Sequence, residues 1–145
     1  MRRFAEKMMK RATYIKFLFF LISIMLFSCV KDASIGKAIL CNNPSNNQCN
    51  EDIASFYGVE TDTIHLFVTL NNAPKNIKVD ITWYYQAAES EKEVIMQGNF
   101  EGDDKSNIHA KLYTNTPGWP VGEYSVIIKI VGSESEAIEK KFIIK

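Results

Sequence analysis

Two histidines, three cysteines and four prolines are all that 145 residues contain of those types. No stretch shows the 3.6-residue apolar rhythm of a useful amphipathic helix, and no long repeat recurs. Crossover helices are therefore missing, and a parallel α/β fold needs them. Basic clusters are also missing outside the N-terminal region. Six of the 17 basic residues and one of the 17 acids precede Cys29, which leaves 11 against 16 and a net charge of −5. An acidic domain of this kind does not suit nucleic acid, which is bound by clustered Lys and Arg. Nor does it suit an anionic membrane surface, which is bound by polybasic segments. No nucleophile has a base and an orienting third group close by in the sequence, and Ser106 and Ser125 stand without such neighbours. No catalytic residue is assigned and no enzyme activity is expected.

The long apolar run is also short of what a membrane span needs. Residues 17–29 read FLFFLISIMLFSC and the run ends at Lys31. A spanning helix takes about 20 apolar residues. Before the run come Arg2, Arg3, Lys7, Lys10, Arg11 and Lys16, and Ser28 sits just before Cys29. A basic n-region, an apolar h-region and a small residue at the end form a secretory signal. Leu26, Phe27, Ser28 and Cys29 resemble the lipobox of bacterial lipoproteins, although Phe27 is bulkier than the usual residue there. The resemblance implies that residues 1–28 are a signal peptide and that Cys29 carries a covalent lipid. Residues 29–36 would then be the lipidated terminus and a tether. No other cofactor is expected. The expected location is the bacterial cell envelope, held at the outer membrane by the lipid.

The 117 residues from Cys29 onward suffice for one domain with one core. Cys41 and Cys49 enclose NNPSNNQ, and an exported compartment allows disulfides to persist. A stapled polar loop is expected, with two free thiols as the alternative. These two cysteines lack the further ligands that zinc takes.

From residue 37 the chain reads as short strands. In IHLFVTL, Ile64, Leu66, Val68 and Leu70 share one face, and His65, Phe67 and Thr69 the other. In NIKVDITWYYQ, Ile77, Val79, Ile81, Trp83 and Tyr85 alternate with polar residues. A period of 2 means half-buried strands. EVIMQGNF is a weaker strand interrupted by Gly98, and NIHAKLYTN, GEYSVIIKIVG and AIEKKFIIK complete the set. Short strands at regular spacing predict an all-β antiparallel sandwich of about seven strands over residues 37–145.

Trp83 in the third strand, Gly122-Glu123-Tyr124 opening the penultimate strand, and the closing hairpin together resemble an immunoglobulin-like β-sandwich. The resemblance covers about residues 64–145. It implies a core tryptophan and a tyrosine corner. The inter-sheet disulfide of antibody domains is absent, because neither Cys41 nor Cys49 lies in the right strand.

Such a fold carries many functions, so function has to be argued from sites. His65 is expected opposite residues 111–113 and His109 nearer Thr69. At 3.3 Å per residue that separates them by roughly 13 Å, too far to share an ion. No metal is expected. Asp103-Asp104 fits a charged turn better than a calcium loop, which needs six to eight oxygens. The outer face of the last two strands and the Trp83 strand would carry Tyr84, Ile127 and Ile143 among lysines. Contiguous exposed apolar groups mark contact sites. Trp119, in PGWP, either caps the core or serves as a recognition residue on a loop. The expected function is binding of an envelope protein or glycan by a lipid-anchored, non-enzymatic domain. A structural or assembly component with no soluble ligand is the alternative.

Overall fold

The computed structural model describes residues 31–115 and 118–145. Cys29 and the whole signal region lie outside these residues, as do Thr116 and Pro117. The described chain from Asp32 onward belongs to one compact unit, Asp32–Lys145. Among the described residues there is no helix.

Eight strands form two sheets. They are β1 (Ser34–Cys41), β2 (Ser55–Phe56), β3 (Thr63–Asn71), β4 (Ile77–Gln86), β5 (Glu93–Gly102), β6 (Ile108–Tyr113), β7 (Gly122–Ile130) and β8 (Ile138–Ile144). One sheet has the order β1-β3-β6 and the other β2-β8-β7-β4-β5. All pairs are antiparallel except β2 with β8. The two-residue β2 is the eighth strand that alternation does not reveal. β1 takes in Ser34, Ile35 and Gly36, which composition assigns to the tether.

Alternation decides the core. Ile64, Leu66, Val68 and Leu70 of β3 face Val79, Ile81 and Trp83 of β4, with Val126, Ile128, Phe142 and Ile144 completing it. Each is buried. The odd and even positions of a strand point to opposite faces, so this pattern forces both sheets to bury one face against the other. Gly98 does not interrupt β5. It faces inward, and a Cβ there would come within 2.9 Å of the Phe100 ring, which occupies that space instead. Asn46, Asn47, Asn72 and Asn76 hold positive φ in the turns. Asparagine tolerates that region better than most residues.

Tyr124 forms the tyrosine corner. Its Oη donates to the carbonyl of Pro120 at 2.8 Å, four residues upstream. Gly122 precedes it where a Cβ would lie 2.8 Å from the Gln86 carbonyl oxygen, so the β4–β7 approach requires glycine. Burial first, and Tyr85 second, push the Tyr124 phenol up to about 12. An unfolded tyrosine titrates near 10. The folded state thus holds this proton more tightly than the unfolded chain. Its contribution to stability is complete below about pH 10 and is lost as pH rises toward 12. Stability measured by urea unfolding at pH 9 and pH 11 is expected to fall more steeply for the native chain than for Tyr124→Phe. Equal falls would remove the corner as the cause. At neutral pH the variant should lose about 1 kcal/mol with the hydrogen bond.

Candidate functional site

The five-stranded sheet presents Tyr84, Ile127 and Ile143 on its outer face, but in three separate rows. Register places Thr82 with Ile127 and Glu139, Tyr84 with Ser125 and Lys141, and Gln86 with Glu123 and Ile143. Ile127 is half-buried and Ile143 is 38% exposed. Charged and polar groups fill the gaps between them. Lys92 Nζ lies 4.4 Å from the centre of the Tyr84 ring. The same ammonium donates to Glu139 Oε1 at 2.6 Å, and Lys141 lies 4.0 Å from Glu139 Oε2. The hydrogen bond from Lys92 is the main reason the Glu139 carboxyl sits below its ordinary range. A small cleft of about 110 Å³ opens here above the buried Ser125. Its hydroxyl makes no hydrogen bond of normal geometry, although its closeness to Glu139 helps lower that carboxyl. Lys92 and Lys141 in this cleft already pair with Glu139.

Trp119 is only 8% exposed. Its indole Nε1 donates to the carbonyl of Thr61, and its ring meets Tyr124 edge-on at 6.1 Å. It closes the end of the core and offers no surface for recognition. Of the two roles expected for this loop residue, its burial supports capping the core.

The opposite face holds a group that alternation alone does not find. Phe67 points outward from β3 yet is 5% exposed. The ring of His109 stacks on it at 4.1 Å and 13°. His109 also meets His65, with Nδ1 of His65 and Nε2 of His109 2.9 Å apart. The expected separation of roughly 13 Å is wrong. His65 does fall opposite Lys111, but His109 falls opposite Phe67 rather than Thr69. The two histidines are thus diagonal neighbours, within reach of long side chains. Burial, and then Lys111, lower the His65 pKa. Burial, then His65 and Lys111, lower that of His109.

Beside this aromatic row stands the loop closed by the disulfide between Cys41 and Cys49. Ser45 and Gln48 exchange both backbone hydrogen bonds, at 2.9 and 3.1 Å, around Asn46 and Asn47. With both asparagines at positive φ this is a type I′ hairpin turn. Asp52 fastens the base of the loop. It accepts from the Leu40 N–H at 2.9 Å and pairs with Lys140 of β8. Asn46, Asn47, Gln48, Asn107, Phe67 and His109 line a groove of about 380 Å³. Among the described residues, none of the four side-chain amides hydrogen-bonds to another protein group. Free amides beside an aromatic wall can meet hydroxyl and amide groups with both donors and acceptors.

In the loop that carries the chain from β5 of one sheet to β6 of the other, Asp103 Oδ1 accepts from the N–H of Lys105 and Ser106 and from the Ser106 hydroxyl. These bonds, led by that of the hydroxyl, lower its pKa and commit the oxygen to the turn. Among the described residues no group of three His, Cys, Asp or Glu side chains is placed to hold a metal ion.

The domain is an immunoglobulin-like β-sandwich. A solved immunoglobulin-like protein of Pseudomonas aeruginosa superposes with a TM-score of 0.55 over 81% of this chain and 100% of its own, at 8% identity. A superoxide reductase (neelaredoxin) of Ignicoccus hospitalis covers 63% of this chain and 75% of its own at 9% identity, and its TM-score of 0.40 carries no argument. No protein-family description and no curated protein matches the chain.

Proposed function

We propose that this chain is a lipid-anchored, non-enzymatic binding domain of the bacterial envelope, and that its ligand is an envelope glycan. The anchor rests on the lipobox-like residues ending at Cys29. The ligand class rests on one observation, the groove in which a disulfide-stapled turn sets Asn46, Asn47 and Gln48 beside Phe67 and His109. Sugars present paired donors and acceptors on one face and C–H groups on another, and amides with an aromatic wall answer both. A turn held in shape before binding loses little conformational entropy on binding.

The test uses cells expressing the native chain, Cys29→Ala, and the double variant Asn46→Gly/Asn47→Gly. Glycine keeps the positive φ of the turn and removes the two amides. The native protein is expected in the membrane fraction and Cys29→Ala outside it. Native protein should bind soluble envelope oligosaccharides in a titration, and the glycine variant should bind at least about tenfold more weakly with an unchanged melting temperature, since one good hydrogen bond contributes about 1 kcal/mol and two amides are lost. Membrane retention of Cys29→Ala would sink the anchor. Undiminished binding in the glycine variant, or none in the native chain, would sink the glycan reading.

A further inference from the structure

His65 and His109 are the only imidazoles in the chain, and strands β3 and β6 bring them together. Their facing nitrogens are 2.9 Å apart, one donating and the other accepting. The ring planes differ by 24° and the centroids are 5.1 Å apart. At that centroid distance, nitrogens so close mean that the rings meet edge to edge, close to one plane. Both side chains are partly exposed. We propose that His65 Nδ1 and His109 Nε2 form a chelate for a divalent transition-metal ion, with Cu²⁺ as the favoured ion.

The ligand type carries the choice of metal. The 2.9 Å gap is that of the hydrogen bond between the rings, and once the rings turn toward an ion, two imidazole nitrogens completed by water suit tetragonal Cu²⁺. Copper also heads the affinity order for nitrogen ligands. Binding requires no net loss of a proton. The ring that donates the shared N–H moves that hydrogen to its other nitrogen through solvent, and both facing lone pairs are then free. The lone pairs now point at one another, so the rings must open outward in their common plane.

Two features limit the site. Lys111 lies opposite His65 and two residues from His109 on the same strand, so its ammonium opposes a cation. Cys41 flanks His65 on the other side, but its sulfur is in the disulfide. Water completes the coordination.

The experiment titrates Cu²⁺ into the full chain, purified in detergent without a histidine tag, and reads electron paramagnetic resonance and visible absorption. The expected result is one Cu²⁺ per chain with coupling to two imidazole nitrogens, bound more tightly than Ni²⁺ or Zn²⁺. His65→Gln and His109→Gln should each weaken it by about tenfold or more, because one ligand alone loses the effective concentration of the pair. Lys111→Gln should strengthen it at low salt. His65 does not line the glycan groove, and Asn46→Gly/Asn47→Gly should leave copper binding unchanged, so the two readings fail separately. Absence of a 1:1 site, a 1:1 site that survives both histidine variants, or an affinity that does not rise in Lys111→Gln would each overturn the proposal.

Discussion

Replacing Trp83 with alanine is expected to remove most of the stability of the domain. The indole is 1% exposed at the centre of β4, paired with Met96 on one side and Val126 on the other. It meets Phe142 of β8 edge-on at 6.2 Å, so one side chain ties β4 to β8 across β7. Truncating a buried aromatic costs about 3–5 kcal/mol, counting lost transfer energy and the cavity left behind. A domain of this size has about 5–15 kcal/mol in all. Collapse of the site is hindered because the neighbours belong to hydrogen-bonded strands, which places the expected loss at the upper end. Urea unfolding should show a midpoint shifted far toward water, or no folded baseline. Trp83→Phe, which keeps a ring, should lose less than half as much. A loss below about 1 kcal/mol for Trp83→Ala, the level of an ordinary surface change, would mean that the core is centred elsewhere.

The fold was legible because face and period are local properties. Ile77 to Tyr85 alternate without a break, and the structure places Val79, Ile81 and Trp83 in the core as that alternation requires. Tyr124 followed from its place at the start of β7. Two strands were harder to read for identifiable reasons. β2 has two residues and pairs parallel with β8, so it has no period to detect. β5 carries Gly98, whose missing side chain is replaced by the ring of Phe100 two residues on. The site was much less legible. Its geometry depends on register, and hydrophobic alternation fixes register only to the nearest even step. A slip of one residue would turn every side chain of β6 over, whereas a slip of two leaves each on its proper face. His109 opposite Phe67 instead of Thr69 is such a slip. It brings two distant histidines into contact without changing any inward residue. Phe67 on a polar face was the one local signal, since a large aromatic at an outward position implies something beside it.

Reduction or removal of the Cys41–Cys49 disulfide is the second large effect expected, and it tests how the groove is built. A cross-link closing so short a loop restricts the unfolded chain by about 2–3 kcal/mol in the chain-entropy account. Cys41→Ser/Cys49→Ser should therefore lower unfolding free energy by about that amount, with the native chain in reductant behaving like the variant. Other ties remain. The Ile53 N–H still donates to the Leu40 carbonyl at 2.8 Å, and Asp52 still holds Leu40 and Lys140. The loop base should thus stay attached while its tip, Asn46 to Gln48, samples more conformations. Glycan binding should then fall further than stability does, because the turn must be ordered at the moment of binding. Asn46→Gly/Asn47→Gly predicts the opposite pairing, intact stability with weakened binding. Comparing the two separates the shape of the turn from the amides it carries. If the serine variant loses stability but binds as well as the native chain, the staple supports the fold alone and the groove does not depend on a preset turn. If its midpoint does not move, the loop is held by Asp52 and its hydrogen bonds, and the disulfide is an added lock rather than the source of order.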